Sequence, residues 1–329
     1  MRARAANFDH PGPHYGYFGQ GPVDDVVLAR RPNSPTPVWE IHCHGGHAMR
    51  AGLIEQLVRA GAEPIPWPEF ERLAGRRASD VEILEQLPRA TAPRAADLLL
   101  QQWGGTLDRA IDQARQNKDL ASVARMLGWW DLGRHLVEPW EIVLVGEPNV
   151  GKSSLLNAVA GFERAIVSPA AGTTRDLLSV DVSLLGWPFR WIDGAGLRHT
   201  SDPIEQEGVD RIRRRIESAD LSVRIVDLST PANDPLLASL DVAADLTVGN
   251  KLDLAPPGRS SSTPPTDLDV SAATGQNIDR LIDRVVRRLI PRDPPPGEPI
   301  PFLPRHLAEL EALRDLLSVE APGGMGPGR

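Results

Sequence analysis

The segment Gly146-Glu147-Pro148-Asn149-Val150-Gly151-Lys152-Ser153 constrains this chain more than any other part of it. It follows the apolar run EIVLV (141–145) and leads directly into the helical run SLLNAVAG, beginning at Ser154. The spacing G-x-x-x-x-G-K-S between a strand and a helix is that of a phosphate-binding loop. Glycines let backbone N–H groups curl around phosphate oxygens, and the helix N-terminus adds partial positive charge. Lys152 would reach the β and γ phosphates of a nucleotide, and the Ser153 hydroxyl would bind Mg2+. Strand-like runs alternating with helical ones around this loop predict an α/β fold with a mostly parallel sheet covered by helices on both faces.

Composition sharpens the reading at one point. The 36 basic residues comprise 33 Arg and only three Lys, at positions 118, 152 and 251. Lys152 lies in the phosphate loop, and Lys251 lies in Asn250-Lys251-Leu252-Asp253, after the strand-like DLTVGN. A compact ammonium on a slim stem is not interchangeable with a planar guanidinium, so both positions read as functional.

Three further segments follow in the order a GTPase requires. Thr173-Thr174 would give magnesium a second hydroxyl, from Thr174, and sense the γ-phosphate. Asp193-Gly194-Ala195-Gly196 ends the strand FRWID and sets a carboxylate near the metal's water shell, with the Gly196 N–H near the γ-phosphate. In the Asn250–Asp253 segment, the Asp253 carboxylate can accept two N–H bonds from guanine, a pair of donors that adenine lacks, so GTP is expected over ATP. Ser271-Ala272-Ala273 would offer backbone contacts to the guanine oxygen.

Strand-like runs alternate with helical ones from 140 to 292, which is the expected nucleotide domain. Residues 69–139 lack strand signals and read as a helical connector, and 1–68 as a small α/β unit with strands near 24–30 and 38–44. Residues 293–329 read as a stiff proline-rich spacer, one helix and a disordered tail. A length of 329 residues, one cysteine (Cys43) and no long apolar run exclude a disulfide scaffold and a membrane-spanning chain. With no signal-peptide pattern at the N-terminus, a cytoplasmic protein is expected.

These motifs resemble the MnmE (TrmE) family of tRNA-modification GTPases. GEPNVGKSSLLNAVAGFERAIVSPAAGTTRDLL is similar to that family's phosphate loop and first switch, and WIDGAGLRHTSDPIEQEGVDRIRRRIESADL to its second switch. HYGYFGQGPVDDVVLARRPNSPTPVWEIHCHGGHAM is similar to the latter part of its N-terminal folate-binding domain, and LPRHLAELEAL to the helix that re-enters its helical domain. The resemblance implies that Asn149 helps hold K+, which supplies the charge that other GTPases take from an arginine finger. It implies that Glu205 orients the attacking water, since Leu197 stands where Ras-like proteins have glutamine. Arg175 and Arg198 also match the family. Glu40, beside HGG, matches a folate contact. The family further implies a homodimer, a flavin-dependent partner and tRNA wobble uridine as the substrate.

Departures qualify that picture. The family's DTAG is DGAG in this chain; the strand-rich opening, the later helices and the C-terminal cysteine motif are not found, so the chain reads as truncated at both ends, with GTP hydrolysis intact and tRNA modification in question. A degenerate paralogue and a ribosome or RNP assembly GTPase are therefore the competing readings. His42-Cys43-His44 is not expected to bind metal, because alternation puts the two histidines on one strand face and the cysteine on the other. Arg211, Arg213, Arg214 and Arg215 read as a solvated helix face partnered by Asp210 and Glu217.

Overall fold

The computed structural model describes residues 12–17, 25–32, 34–162, 179–194, 213–230, 244–256 and 265–320, and the chain divides into two units, residues 1–85 and 86–329. In the first unit, β1 (His14–Tyr17), β2 (Asp25–Arg30) and β3 (Trp39–Cys43) form an antiparallel sheet in that order. Three helices follow: α1 (His47–Arg59), α2 (Trp67–Leu73) and α3 (Ala78–Gln86). Ser34 Oγ and Thr36 Oγ1 donate to the carbonyls of Ala74 and Leu73, and Arg31 makes two contacts to Glu71, which tie the end of α2 to the loop between β2 and β3. The apolar spacing in α1 predicts a buried face, yet only Leu53 is buried there; Ile54 and Val58 are nearly half exposed.

The second unit opens with α4 (Pro93–Gln101), α5 (Thr106–Asn117), α6 (Leu120–Leu127) and the single turn α7 (Trp130–Gly133). Asp119 caps α6 by accepting from the Ser122 N–H, a contact that satisfies one of the free donors at a helix start. The last helix, α10 (Pro304–Glu320), returns to this layer: Leu310, Leu313 and Leu317 pack with Leu107, Ile111, Val123 and Met126 in one apolar cluster.

The six-stranded sheet contains β4 (Trp140–Gly146), β5 (Ser179–Leu184), β6 (Trp187–Asp193), β7 (Leu221–Asp227), β8 (Leu246–Asn250) and β9 (Leu268–Asp269). Their spatial order is β5-β6-β4-β7-β8-β9, with every pairing parallel except β5 with β6. Parallel strands covered by helices must be apolar on both faces, which accounts for the nearly unbroken burial of β4, β6 and β7. Val143, Val145 and Ile192 pack against Ile216, in the helical stretch 213–218, and Ala219 just after it. In that stretch Arg215 pairs with Glu141 at 3.1 Å, so the carboxylate it finds comes from the sheet. Helices α8 (Lys152–Phe162) and α9 (Ile278–Leu289) pack against each other.

The proline-rich stretch expected as a spacer is a docked strap. Ile300 and Phe302 are buried, and the buried Gln102 side chain donates to Glu298 O and accepts from Ile300 N–H. Trp129 Nε1 donates to Glu298 Oε1, and the Arg292 guanidinium lies over the Trp129 ring at 4.1 Å. Proline set the expectation of an exposed stiff segment, but two apolar side chains and a matching amide at the end of α4 bind it to the helices. The tail expected after α10 lies outside the described residues.

Candidate functional site

The carboxyl ends of four neighbouring parallel strands bring the site together. Gly146 ends β4, Asp193 ends β6, Asp227 ends β7 and Asn250 ends β8. The chain leaves β4 between strands that continue on opposite sides, and in open α/β sheets ligands bind in the crevice at such a point.

The loop after β4 turns tightly. Asn149 and Gly151 adopt left-handed backbone, with φ of +64° and +93°. A Cβ at Gly151 would collide with the Asn250 side chain, so glycine is required by space as well as by conformation. Asn149 is exposed, whereas Val150 is buried. Lys152, only 5% exposed, donates from Nζ to the carbonyls of Gly146 at 2.9 Å and Glu147 at 2.7 Å, so its ammonium lies within the loop it follows. Ser153 and Ser154 are exposed on the first turn of α8.

Ser153 Oγ donates to Asp193 Oδ2 at 2.7 Å. A hydroxyl and a carboxylate held side by side at the mouth of a phosphate loop are hard oxygen donors, the set that Mg2+ takes with phosphate and water. The site thus fits Mg2+. Gly194 follows directly, and a Cβ there would lie 2.5 Å from the Leu144 carbonyl oxygen. Any side chain at this position would need the ends of β4 and β6 to move apart.

Asn250 is 2% exposed and joins two loops: Nδ2 donates to Val150 O at 2.9 Å, and Oδ1 accepts from Ala272 N–H at 3.0 Å. Lys251 has φ of +65° and turns the chain into a single helical turn, Leu252–Leu254, that carries Asp253. The Lys251 ammonium is ion-paired with Asp227 Oδ2 at 2.6 Å. Asp253 is exposed and accepts from the buried Ser271 hydroxyl, Oγ to Oδ1 2.5 Å. Ala272 and Ala273 follow in a turn that the Ser271 oxygens brace by accepting from the N–H groups of Thr274 and Gly275. Burial would raise the Asp227 carboxyl, but hydrogen bonds from Lys251 and Ser229 outweigh it and hold the group below its ordinary range.

The structure therefore assembles Gly146–Ser154, Asp193, Asn250–Asp253 and Ser271–Ala273 on one edge of the sheet. Thr173, Thr174, Arg175, Gly196, Arg198 and Glu205 lie outside the described residues. Asp227 was missed from sequence; the only signal was its place at the end of an apolar strand, level with Asp193 and Asn250. In the first unit, Glu40 is engaged by Arg31 at 3.0 Å and lies 3.6 Å from His42. Arg31 also holds Glu71, whose carboxyl burial would raise but which Arg76 and Arg31 keep lowered.

Residues 141–250 match the family described as 50S ribosome-binding GTPase. Longer similarity runs to curated relatives. The chain is 33% identical to the tRNA modification GTPase MnmE of Moorella thermoacetica over 90% of this chain and 75% of that protein. It is 35% identical to the MnmE of Syntrophotalea carbinolica, over 74% of this chain and 64% of that one. With a Thermus thermophilus protein of the same name it shares 34% identity, over 82% and 70%. Similarity that runs through both units, together with a phosphate loop, a Ser153–Asp193 pair and an Asn250–Asp253 turn on one sheet edge, gives the assignment: the chain belongs to the MnmE family of tRNA modification GTPases.

Proposed function

We propose that this protein hydrolyses GTP in the crevice at the carboxyl edge of the six-stranded sheet and uses the cycle as a switch in tRNA wobble-uridine modification. The 2.7 Å hydrogen bond between Ser153 and Asp193 carries the reading, because it joins the phosphate loop to the strand end where a metal must sit. Bound Mg2+ would screen the phosphate charge, held by Ser153 and Thr174, with Asp193 at its water shell. Lys152 exchanges its loop carbonyls for the β and γ phosphates. Gly146, Val150, Gly151 and Ser154 line the phosphates with backbone N–H groups, Thr173 belongs to the γ-phosphate switch, and Gly196 adds an N–H there. Asp253 reads the guanine edge, with Ala272 and Ala273 at its oxygen. Water aligned by Glu205 attacks the γ-phosphorus as the bond to the β–γ bridging oxygen breaks, giving GDP and phosphate. Asn149 would help hold K+, which would supply positive charge beside the phosphates of the kind other GTPases take from an arginine finger.

The same reading includes a homodimer, a flavin-dependent partner, tRNA as the modified substrate and a cytoplasmic setting. A folate contact through Glu40 would compete with Arg31 for the same carboxylate. The ribosome-assembly reading draws on a match confined to 141–250, whereas the MnmE relatives extend over 74–90% of the chain, and this favours tRNA. GTP hydrolysis is expected to be faster in K+ than in Na+, and Glu205→Ala is expected to abolish most turnover while nucleotide binding persists. Equal rates in both salts would remove the K+ mechanism. Mass spectrometry of wobble uridines in tRNA from a deletion strain tests the cellular role, and unchanged modification would remove it.

A further inference from the structure

The ion pair between Lys251 and Asp227 has a feature that bears on nucleotide selection. Asp227 ends β7 directly opposite Asn250 at the end of β8, and its side chain is 13% exposed. Its two oxygens are used differently. Oδ1 accepts from the Ser229 N–H at 2.8 Å and the Ser229 hydroxyl at 2.6 Å, while Oδ2 receives the Lys251 ammonium at 2.6 Å. A guanidinium binds a carboxylate best through both oxygens, but a compact ammonium needs only one.

The geometry also explains why the side chain of Lys251 must be held. Its backbone is left-handed, a conformation that is costly for a non-glycine residue and persists only where the surroundings impose it. That bend sends the chain into the turn bearing Asp253, whose carboxylate is aligned in turn by Ser271. We propose that Asp227 is a positioning residue for guanine recognition: it anchors Lys251 so that Asp253 faces the base, and its Ser229-capped carboxylate admits lysine but not arginine. This accounts for a lysine at 251 in a chain with 33 Arg and three Lys. The inference rests on the reading of Asn250–Asp253 as the base-selecting element.

The test is a double-mutant cycle on the full chain, with mant-GDP affinity as the readout. Asp227→Asn is expected to weaken binding by about tenfold, the loss of one charge-assisted contact. Lys251→Ala is expected to weaken it at least as much, and Asp227→Asn in the Lys251→Ala background to add nothing, since its effect passes through the lysine. Lys251→Arg is expected to bind about tenfold more weakly than the parent. A full additional loss in the double variant, or parental affinity in either Asp227→Asn or Lys251→Arg, overturns the proposal. Should Asp227→Asn unfold, Ser229→Ala serves in its place, with an expected loss of about twofold to threefold that vanishes in the Lys251→Ala background; persistence of that loss there overturns it equally. Asp253→Asn separates the two levels: retained mant-GDP affinity in that variant removes the base-reading assignment itself, whereas loss there with none in Asp227→Asn removes only the role of Asp227.

Discussion

At Asn250 one buried amide holds two loops, donating to the phosphate loop at Val150 O and accepting from Ala272 N–H in the turn after Ser271. Sequence reading gives Asn250 a place in a base-selecting motif; the structure gives its side chain to backbone groups, so it braces the site that Asp253 completes. Asn250→Ala leaves a buried carbonyl and an N–H without partners, for an expected destabilisation of about 2–4 kcal/mol, read by urea unfolding. A stability change below about 0.5 kcal/mol would mean that neither loop depends on the amide. The phosphate loop itself was legible because its glycines and lysine are local requirements of one turn. Asp227 was not, because nothing near it in sequence announces a partner 24 residues away.

Among the elements, strands β4 to β8 of the second unit were readable from their apolar runs, since each pattern belongs to a single segment, whereas the two-residue β9 gave no such signal. The strap was not. Its prolines predict a stiff exposed spacer, yet Gln102 at the end of α4 pairs with Glu298 O and Ile300 N–H from nearly 200 residues away, and Gly133 in α7 leaves room for Pro301 and Ile300 to approach. The strap therefore joins α9, which follows the Ser271 turn, to the helical layer completed by α10. Gln102→Ala is expected to cost about 2–4 kcal/mol through the orphaned Ile300 N–H and Glu298 carbonyl and to speed hydrogen exchange at the Ile300 amide. Unchanged exchange at Ile300 would show that the strap does not depend on the Gln102 amide. In α1 the opposite happened: the sequence stripe is present, but Ile54 and Val58 stay partly exposed, so periodicity identified the helix without identifying what it covers.

Across the second unit, two partly buried carboxylates link stability to pH. Burial alone would raise both Asp220 and Asp227; the His135 ring 3.2 Å from Asp220, the Glu141 N–H and Arg134 that donate to it, and the bonds that Asp227 accepts from Lys251 and Ser229, outweigh it and hold both below the ordinary carboxylate range. Because the folded values are depressed, the stability they contribute is complete above the unfolded value and is lost as pH falls through the folded ones. Chemical unfolding between about pH 7 and pH 3 is expected to show stability falling only in the acid part of that range. Asp220→Asn is expected to flatten the fall, and an identical profile in that variant would contradict the linkage. By itself the sequence determined the strand–loop–helix nucleotide unit, the alternation of strands and helices and the residues of each motif, because backbone conformation and apolar spacing are local. Only the tertiary structure decided the order β5-β6-β4-β7-β8-β9, and with it which motifs meet: Ser153 with Asp193, Asn250 with Val150, Lys251 with Asp227. Those contacts join residues tens to a hundred positions apart, and a pairing across neighbouring strand ends follows from how the sheet is wound, which no single segment encodes.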